Sequence, residues 1–203
     1  MTTRTITPPT IEPLSLAEAK ENMNVDVSTV GNDANISGMI TDARSACEFA
    51  LQRALMLQTL ETTLDAFPCV SKKTPFAQID LIYPPVIDVI SVTYTNTDGV
   101  DTVMPSTDYT LDSSREPAWL VPAYGTDWPA TRDSIAAVRV RYRAGYSAST
   151  DASVARAAVP GRFRRWMLAT VADMYARRNA SSDRPSVPNE YIKQLLDDRI
   201  WSL

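Results

Sequence analysis

In the segment VRVRYRAGY, residues 138–146, arginine occupies every second position: Arg139, Arg141 and Arg143 alternate with Val138, Val140 and Tyr142. A guanidinium is always charged at neutral pH, and its planar fork of donors suits carboxylate and phosphate oxygens. Period-two alternation is that of a half-buried strand, so three such forks stand in a row on one sheet face. No acid separates them in the chain. What does that face meet, in a protein whose formal net charge is −4?

Other reactive groups are sparse. The chain has no histidine, which removes the commonest general base and metal ligand, and with it Ser-His-Asp, Cys-His and most zinc sites. Cys47 and Cys69 lack a CxxC spacing and are expected as buried thiols. There is no GxxxxGK[ST] or GxGxxG, and six glycines leave little for a phosphate loop. The stretch TNTDG has too few spaced oxygens for calcium, and Asp197-Asp198 reads as a solvated helix face. These residues point to no catalytic site, no metal and no cofactor, hence to a protein that is not an enzyme.

A second group of interest closes the chain. In NEYIKQLLDDRIWSL, Tyr191, Leu195, Ile200 and Trp201 are large apolar side chains, with Arg199 among them. The linker NASSDRPSVP before them lets the segment move as a unit. Such side chains either fold back on their own subunit or anchor in a partner's groove, with Arg199 at the rim.

The elements that must position these groups can be read along the chain. Residues 1–13, rich in Thr and Pro, are expected as an extended arm. PLSLAEAKENMNV starts a helix with Ser15 as N-cap and Glu18 completing a capping box. In DANISGMITDARSACEFALQRAL, Ile36, Met39, Ile40, Ala43, Cys47, Ala50 and Ala54 form one apolar stripe, capped by Asn32 or Asp33. From Leu57 the texture is β: LQTLETTLDAF, AQIDLIYPPVIDVISVTYTNTDGV, DYTLD, AWLVPA and AAVRVRYRAGY are separated by Pro, Gly, Asn and Asp. Pro84-Pro85 must end one strand and begin the next. Asp98-Gly99 marks a hairpin, with DTVM returning. Helix resumes in RFRRWMLATVADMYARR, where Phe163, Trp166, Met167, Thr170, Val171, Met174 and Tyr175 share a face. That face is expected to pack on the stripe of Ile36, Met39, Ile40 and Ala43. The fold class is therefore α+β: a helical framework, residues 14–56 and 157–203, interrupted by an antiparallel sheet or small barrel over residues 57–150.

Charge is unevenly spread. Residues 1–131 carry 7 basic and 17 acidic side chains, and residues 132–184 carry 11 basic and 4 acidic. An acidic front and a basic rear suit surfaces that meet different partners, or each other between copies. No stretch has the apolar length of a membrane span, and MTTRTITPPT lacks the apolar middle of a secretion signal, so no membrane is expected as a partner and the cytosol is the expected place of synthesis and residence.

The order of segments is specific. LSLAEAKENMNVD, DARSACEFALQRAL, LDAFP, YPPVIDVISVTYTNTDGV, YGTDWPATR, VRVRYRAGY and VPNEYIKQLLDDRIWSL together resemble the head–tail connector (adaptor) proteins of tailed bacteriophages, of the siphophage and gene-transfer-agent type. NASSDRPSVP and SASTDASVARAA depart from that pattern. The resemblance implies a structural virion protein at the head–tail junction, assembled in the bacterial host cytoplasm. It implies a ring, usually of twelve copies, below the portal protein. Such a ring extends the DNA channel and docks the tail or a stopper (tail-completion) protein. It further implies that Tyr191, Leu195, Arg199, Ile200 and Trp201 reach the portal. The arginine row then faces a neighbour's acids, DNA or water. A channel through which DNA slides gains nothing from tight, sequence-specific or phosphate binding, which puts a subunit contact by Arg139, Arg141 and Arg143 ahead of DNA. The other reading is a tail-associated β-domain binding module for carbohydrate or protein, with Tyr83, Tyr94, Tyr109, Trp119, Tyr124 and Trp128 as an aromatic platform.

Overall fold

The computed structural model describes residues 1–70 and 76–177. Its strands are β1 (Thr2–Thr7), β2 (Gln58–Leu64), β3 (Ile79–Leu81), β4 (Val86–Thr95), β5 (Asp101–Met104), β6 (Tyr109–Asp112), β7 (Ala118–Pro122) and β8 (Val138–Ala144). Its helices are α1 (Leu16–Asn22), α2 (Asp33–Leu51), α3 (Ala152–Ala158) and α4 (Gly161–Ala176). The fold is α+β. Two compact units divide it: a β unit of residues Met1–Pro9 and Leu57–Gly145, and a helical unit of Thr10–Met56 and the described residues from Tyr146 onward.

In the β unit, a five-stranded antiparallel sheet runs β1-β2-β8-β4-β5 and a three-stranded one runs β3-β7-β6. The sheets are open, not a closed barrel. The alternation in VRVRYRA is realised: Val138, Val140, Tyr142 and Ala144 are buried, and the arginines between them are not. Buried side chains of this kind each contribute about 1.5–3 kcal/mol by leaving water. The Tyr142 hydroxyl donates to the Ile82 carbonyl at 2.6 Å, and burial pushes its pKa up to about 12. Pro84-Pro85, with a cis bond between its members, separates β3 from β4. The Asp98-Gly99 turn is built on Asn96, whose Oδ1 accepts from the amides of Asp98 and Val100 at 3.0 and 2.9 Å. Gly99 has φ +83°, the left-handed region that glycine enters without strain, so the turn favours glycine there.

Within residues 1–13, the segment expected as an extended arm, Thr2–Thr7 are extended and hydrogen-bonded to β2 as an edge strand. β-branched threonine suits that position. Thr3 Oγ1 meets Thr62 Oγ1 at 2.7 Å on the inner side, and Arg4 reaches Glu61 on the outer side.

In the helical unit, Ser15 Oγ accepts from the Glu18 amide at 3.1 Å, as a cap should. The capping box is not completed: the Glu18 carboxylate accepts from Arg164 of α4 at 2.6 Å instead, a charge-assisted bond that outcompetes a neutral amide. Asn32 takes the N-cap position of α2 without a side-chain bond. Ile36, Ile40, Ala43 and Cys47 of α2 enter one core with Phe163, Trp166, Met167 and Val171 of α4, and Met39 packs at its margin. The packing expected between these two helices is present. SASTDASVARAAVPG, read as a connection, contains α3, whose Asp151 caps the amides of Ser153 and Val154.

Two buried charges tie this unit together. Lys20, 1 % exposed, donates to the carbonyls of Val27 and Thr29 at 3.1 and 2.8 Å and pairs with Asp33 at 2.5 Å, which fixes the loop between α1 and α2. Arg44 joins Glu12 at 2.8 Å and Glu48 at 2.7 Å. Glu48 in turn accepts from the Leu55 amide at 2.7 Å.

Candidate functional site

Strand pairing answers what the arginine row meets. β8 lies between β2 and β4, and register sets Glu61 directly across from Arg141, and Asp88 across from Arg143. Arg141 Nε donates to Glu61 Oε2 at 2.6 Å, while Arg4 from β1 donates to Oε1 of the same carboxylate at 2.6 Å. Arg143 Nε donates to Asp88 Oδ1 at 2.8 Å, with a second bond between Arg143 Nη2 and Asp88 Oδ2. Arg139, opposite Thr93, reaches past β4 to Asp101 on β5, which lies beside Thr95 on the same face. Acids of the front half of the chain therefore neutralise arginines of the rear half within one sheet. Part of the charge division along the sequence is thus answered inside the molecule.

The electrostatics follow from this geometry. Glu61 is 1 % exposed, covered by the two arginines that lie over it. Desolvation pushes its carboxyl up, but hydrogen bonds from Arg141 and Arg4 prevail and hold it below the ordinary 4.5. The hydrogen bond from Arg143 lowers Asp88, and that from Arg139 lowers Asp101. A carboxyl depressed in the folded state contributes stability that is complete above its unfolded pKa and is lost as pH falls through the folded one. Glu61→Gln is expected to lower stability by about 1–2 kcal/mol at pH 7. Its unfolding free energy should also fall less than that of the wild type as pH drops below 4.5. Urea titrations at pH 7 and pH 3 check this, and parallel pH profiles would count against the double bridge.

The remaining candidates are dispersed. Phe67 stacks on Trp128 at 4.7 Å and meets Tyr94 edge-on at 5.7 Å, and Trp128 Nε1 donates to the Ala77 carbonyl at 2.6 Å. These rings are structural. Trp119 lies on the three-stranded sheet, Tyr124 is fully exposed, and no common platform of the six aromatics forms. An open cleft of about 480 Å³ beside Phe67 and Trp128 has Cys69 and Asp127 as its titratable lining, with no acid–base pair. Cys47 is buried, and burial pushes its thiol up to about 12. Cys69, expected to be buried, is exposed, because it follows Phe67-Pro68 in an irregular segment outside either sheet. Among the described residues, no group of three or more Cys, Asp or Glu side chains could hold a metal ion. Among them too, no helix is long and apolar enough to cross a membrane. Tyr191, Leu195, Arg199, Ile200 and Trp201 lie outside the described residues.

Arg165 at the start of α4 and Asp80 on β3 have no ion-pair partner among the described residues. α4 opens with Arg162, Arg164 and Arg165, with no acid in that turn, so positive side chains crowd the positive end of the helix dipole. Arg164 has Glu18 and Arg162 lies over the Phe163 ring at 5.0 Å, while Arg165 is exposed and pairs with no acid among the described residues. On β3, Asp80 is desolvated without a counter-ion, and burial alone raises its pKa.

Neither a protein family nor a curated protein matches the chain by sequence. Solved structures do match it. A chain in the structure described as the virion of the native gene transfer agent (GTA) particle superposes with a TM-score of 0.75 at 18% identity, over 100% of this chain and 98% of that one. A chain in the neck of the empty GTA particle, computed with C6 symmetry, gives 0.74 at 18% identity with the same coverage. A chain in the neck of the native GTA particle, computed with C12 symmetry, gives 0.70 at 19% identity, again with 100% and 98% covered. The chain shares its fold with those chains.

Proposed function

We propose that the chain is a non-enzymatic structural component of the neck of a phage-like particle, a head–tail adaptor that forms a ring below the portal. The observation that carries this reading is the end-to-end fold match to chains of GTA particles, two of them from necks. The C12 symmetry of one neck supports twelve copies. On this reading the partners are the portal protein, a tail or stopper protein and further copies of the chain, and DNA passes through the ring without being read. The chain is made in the host cytoplasm and resides in the virion at the head–tail junction. Arg139, Arg141 and Arg143 hold their own sheet together through acids of the same chain, and so offer a neighbour only the donors that those acids leave free. The closing segment, with Tyr191, Leu195, Ile200 and Trp201 as anchors and Arg199 at the rim, is the proposed portal contact.

Electron microscopy of the purified protein with and without portal tests the reading. A ring on the portal, and monomer or weak association without it, is the expected result. No ring on the portal overturns the adaptor role, and stable closed rings of the protein alone overturn portal-dependent assembly. Deleting residues 189–203 should leave the fold intact and abolish co-sedimentation with portal-bearing, tail-less capsids. Undiminished binding by that truncation would remove the closing segment from the contact.

A further inference from the structure

We propose that the outer face of the three-stranded sheet, centred on Trp119 and Asp80, receives a guanidinium from a second copy of this chain, supplied by Arg165 at the start of α4. The inference rests on the ring reading, which requires two complementary patches on every copy.

The sheet already shows how it holds such a group. Trp119 on β7 lies directly across from Asp80 on β3 and from Asp112 on β6, so one indole is flanked by two carboxylates. On the Asp112 side, Arg115 stacks over the indole at 4.0 Å and pairs with the carboxylate at 2.7 Å. Indole face plus carboxylate is a favourable setting for arginine, combining cation–π attraction with a charge-assisted bond. The Asp80 side offers the same two elements, and Asp80 pairs with no cation among the described residues. Phe76, 61 % exposed, stands 6.1 Å from the Trp119 ring. A carboxylate without a cation, beside an aromatic surface, calls for a group rich in donors with a flat apolar face. Guanidinium is that group among side chains.

The same chain carries the complement. Arg165 is exposed, has no acid among the described residues, and sits where the helix dipole disfavours it. An uncompensated acid and an uncompensated base on one chain each cost stability in the isolated molecule. Both are relieved when copies meet head to tail, so every copy in a closed ring uses each patch once.

Charge exchange tests the contact. Asp80→Arg and Arg165→Asp should each raise the protein concentration at which rings complete on the portal by about tenfold or more, and the double variant should restore it. Asp80→Asn should weaken assembly while leaving the melting temperature of the isolated protein unchanged or higher. In a Cys69→Ser background, an equimolar mixture of Asp80→Cys and Arg165→Cys chains should give a disulfide-linked pair on mild oxidation that neither variant gives alone. Rings that form normally with either single reversal, or a double reversal that folds but is not rescued, overturn the contact while leaving the ring intact. Failure of the wild type to form any ring overturns the ring reading instead.

Discussion

Trp166→Ala is expected to lower the stability of the helical unit by about 3–5 kcal/mol, the cost of emptying a large aromatic site in a packed core. Trp166 is buried in the cluster that joins α2 to α4, among Ile36, Ile40, Phe163 and Met167. Neither helix can keep its apolar face from water without the other. For a chain of this length the loss corresponds to a fall of roughly 6–20 °C in melting temperature. Trp166→Phe separates packing from polarity. The indole Nε1 is buried with no acceptor, and an unmet buried donor costs about 1–3 kcal/mol. Phenylalanine leaves a smaller cavity than alanine and removes that donor, so its net cost should be about 1 kcal/mol or less. Urea denaturation of both variants with an unchanged m-value checks the pair. An alanine variant as stable as the wild type would take Trp166 out of the core.

What the sequence reveals and what it hides have physical causes that differ by element. The buried stripe of α2, the alternation of β8, the Asp98-Gly99 turn before β5 and the diproline before β4 are local patterns, legible within a dozen residues. β1 is not, because a short threonine strand at a sheet edge is defined by its partner β2, more than fifty residues away. α3 hides behind Ser, Thr and Ala, although Asp151 two residues before Ser153 is a cap signal in plain view. The arginine row was legible as a row, but its partners were not. Glu61 precedes Arg141 by 80 residues, and no local window joins them. Sequence charge counts then mislead in a definite way: a basic segment threaded between acidic strands reads as a charged surface and folds as a neutralised one. The pairing of Asp80 with Trp119 carried no local sequence signal, since it is set by the register of β3 against β7, about forty residues apart.

Arg44→Met should be about as damaging as the loss of Trp166, for an electrostatic reason. Arg44 is buried between Glu12 and Glu48, and Glu48 is itself buried at the end of α2. Burial raises the Glu48 carboxyl despite the attraction of Arg44 and the hydrogen bond from Leu55. Removing the guanidinium leaves an uncompensated buried charge, which typically costs about 3–5 kcal/mol. The sign of the pH dependence identifies the mechanism. A carboxyl raised in the folded state lets the native chain bind a proton that the unfolded chain has released, so its penalty grows as pH rises from 4.5 through the folded value. The deficit of Arg44→Met relative to the wild type should therefore shrink as pH falls from 7 toward 5, as the buried Glu48 carboxyl takes up a proton. Adding Glu48→Gln removes the charge yet keeps a side-chain oxygen to accept the Leu55 amide at the turn after α2. The double variant should recover most of the lost stability at pH 7, since a buried ion pair replaced by neutral groups is often nearly neutral in energy. Thermal denaturation of the two variants at pH 7 and pH 5 decides the matter. A pH-independent deficit, or a double variant no better than the single, would mean that Arg44 stabilises the unit through the packing of its stem and not by answering Glu48.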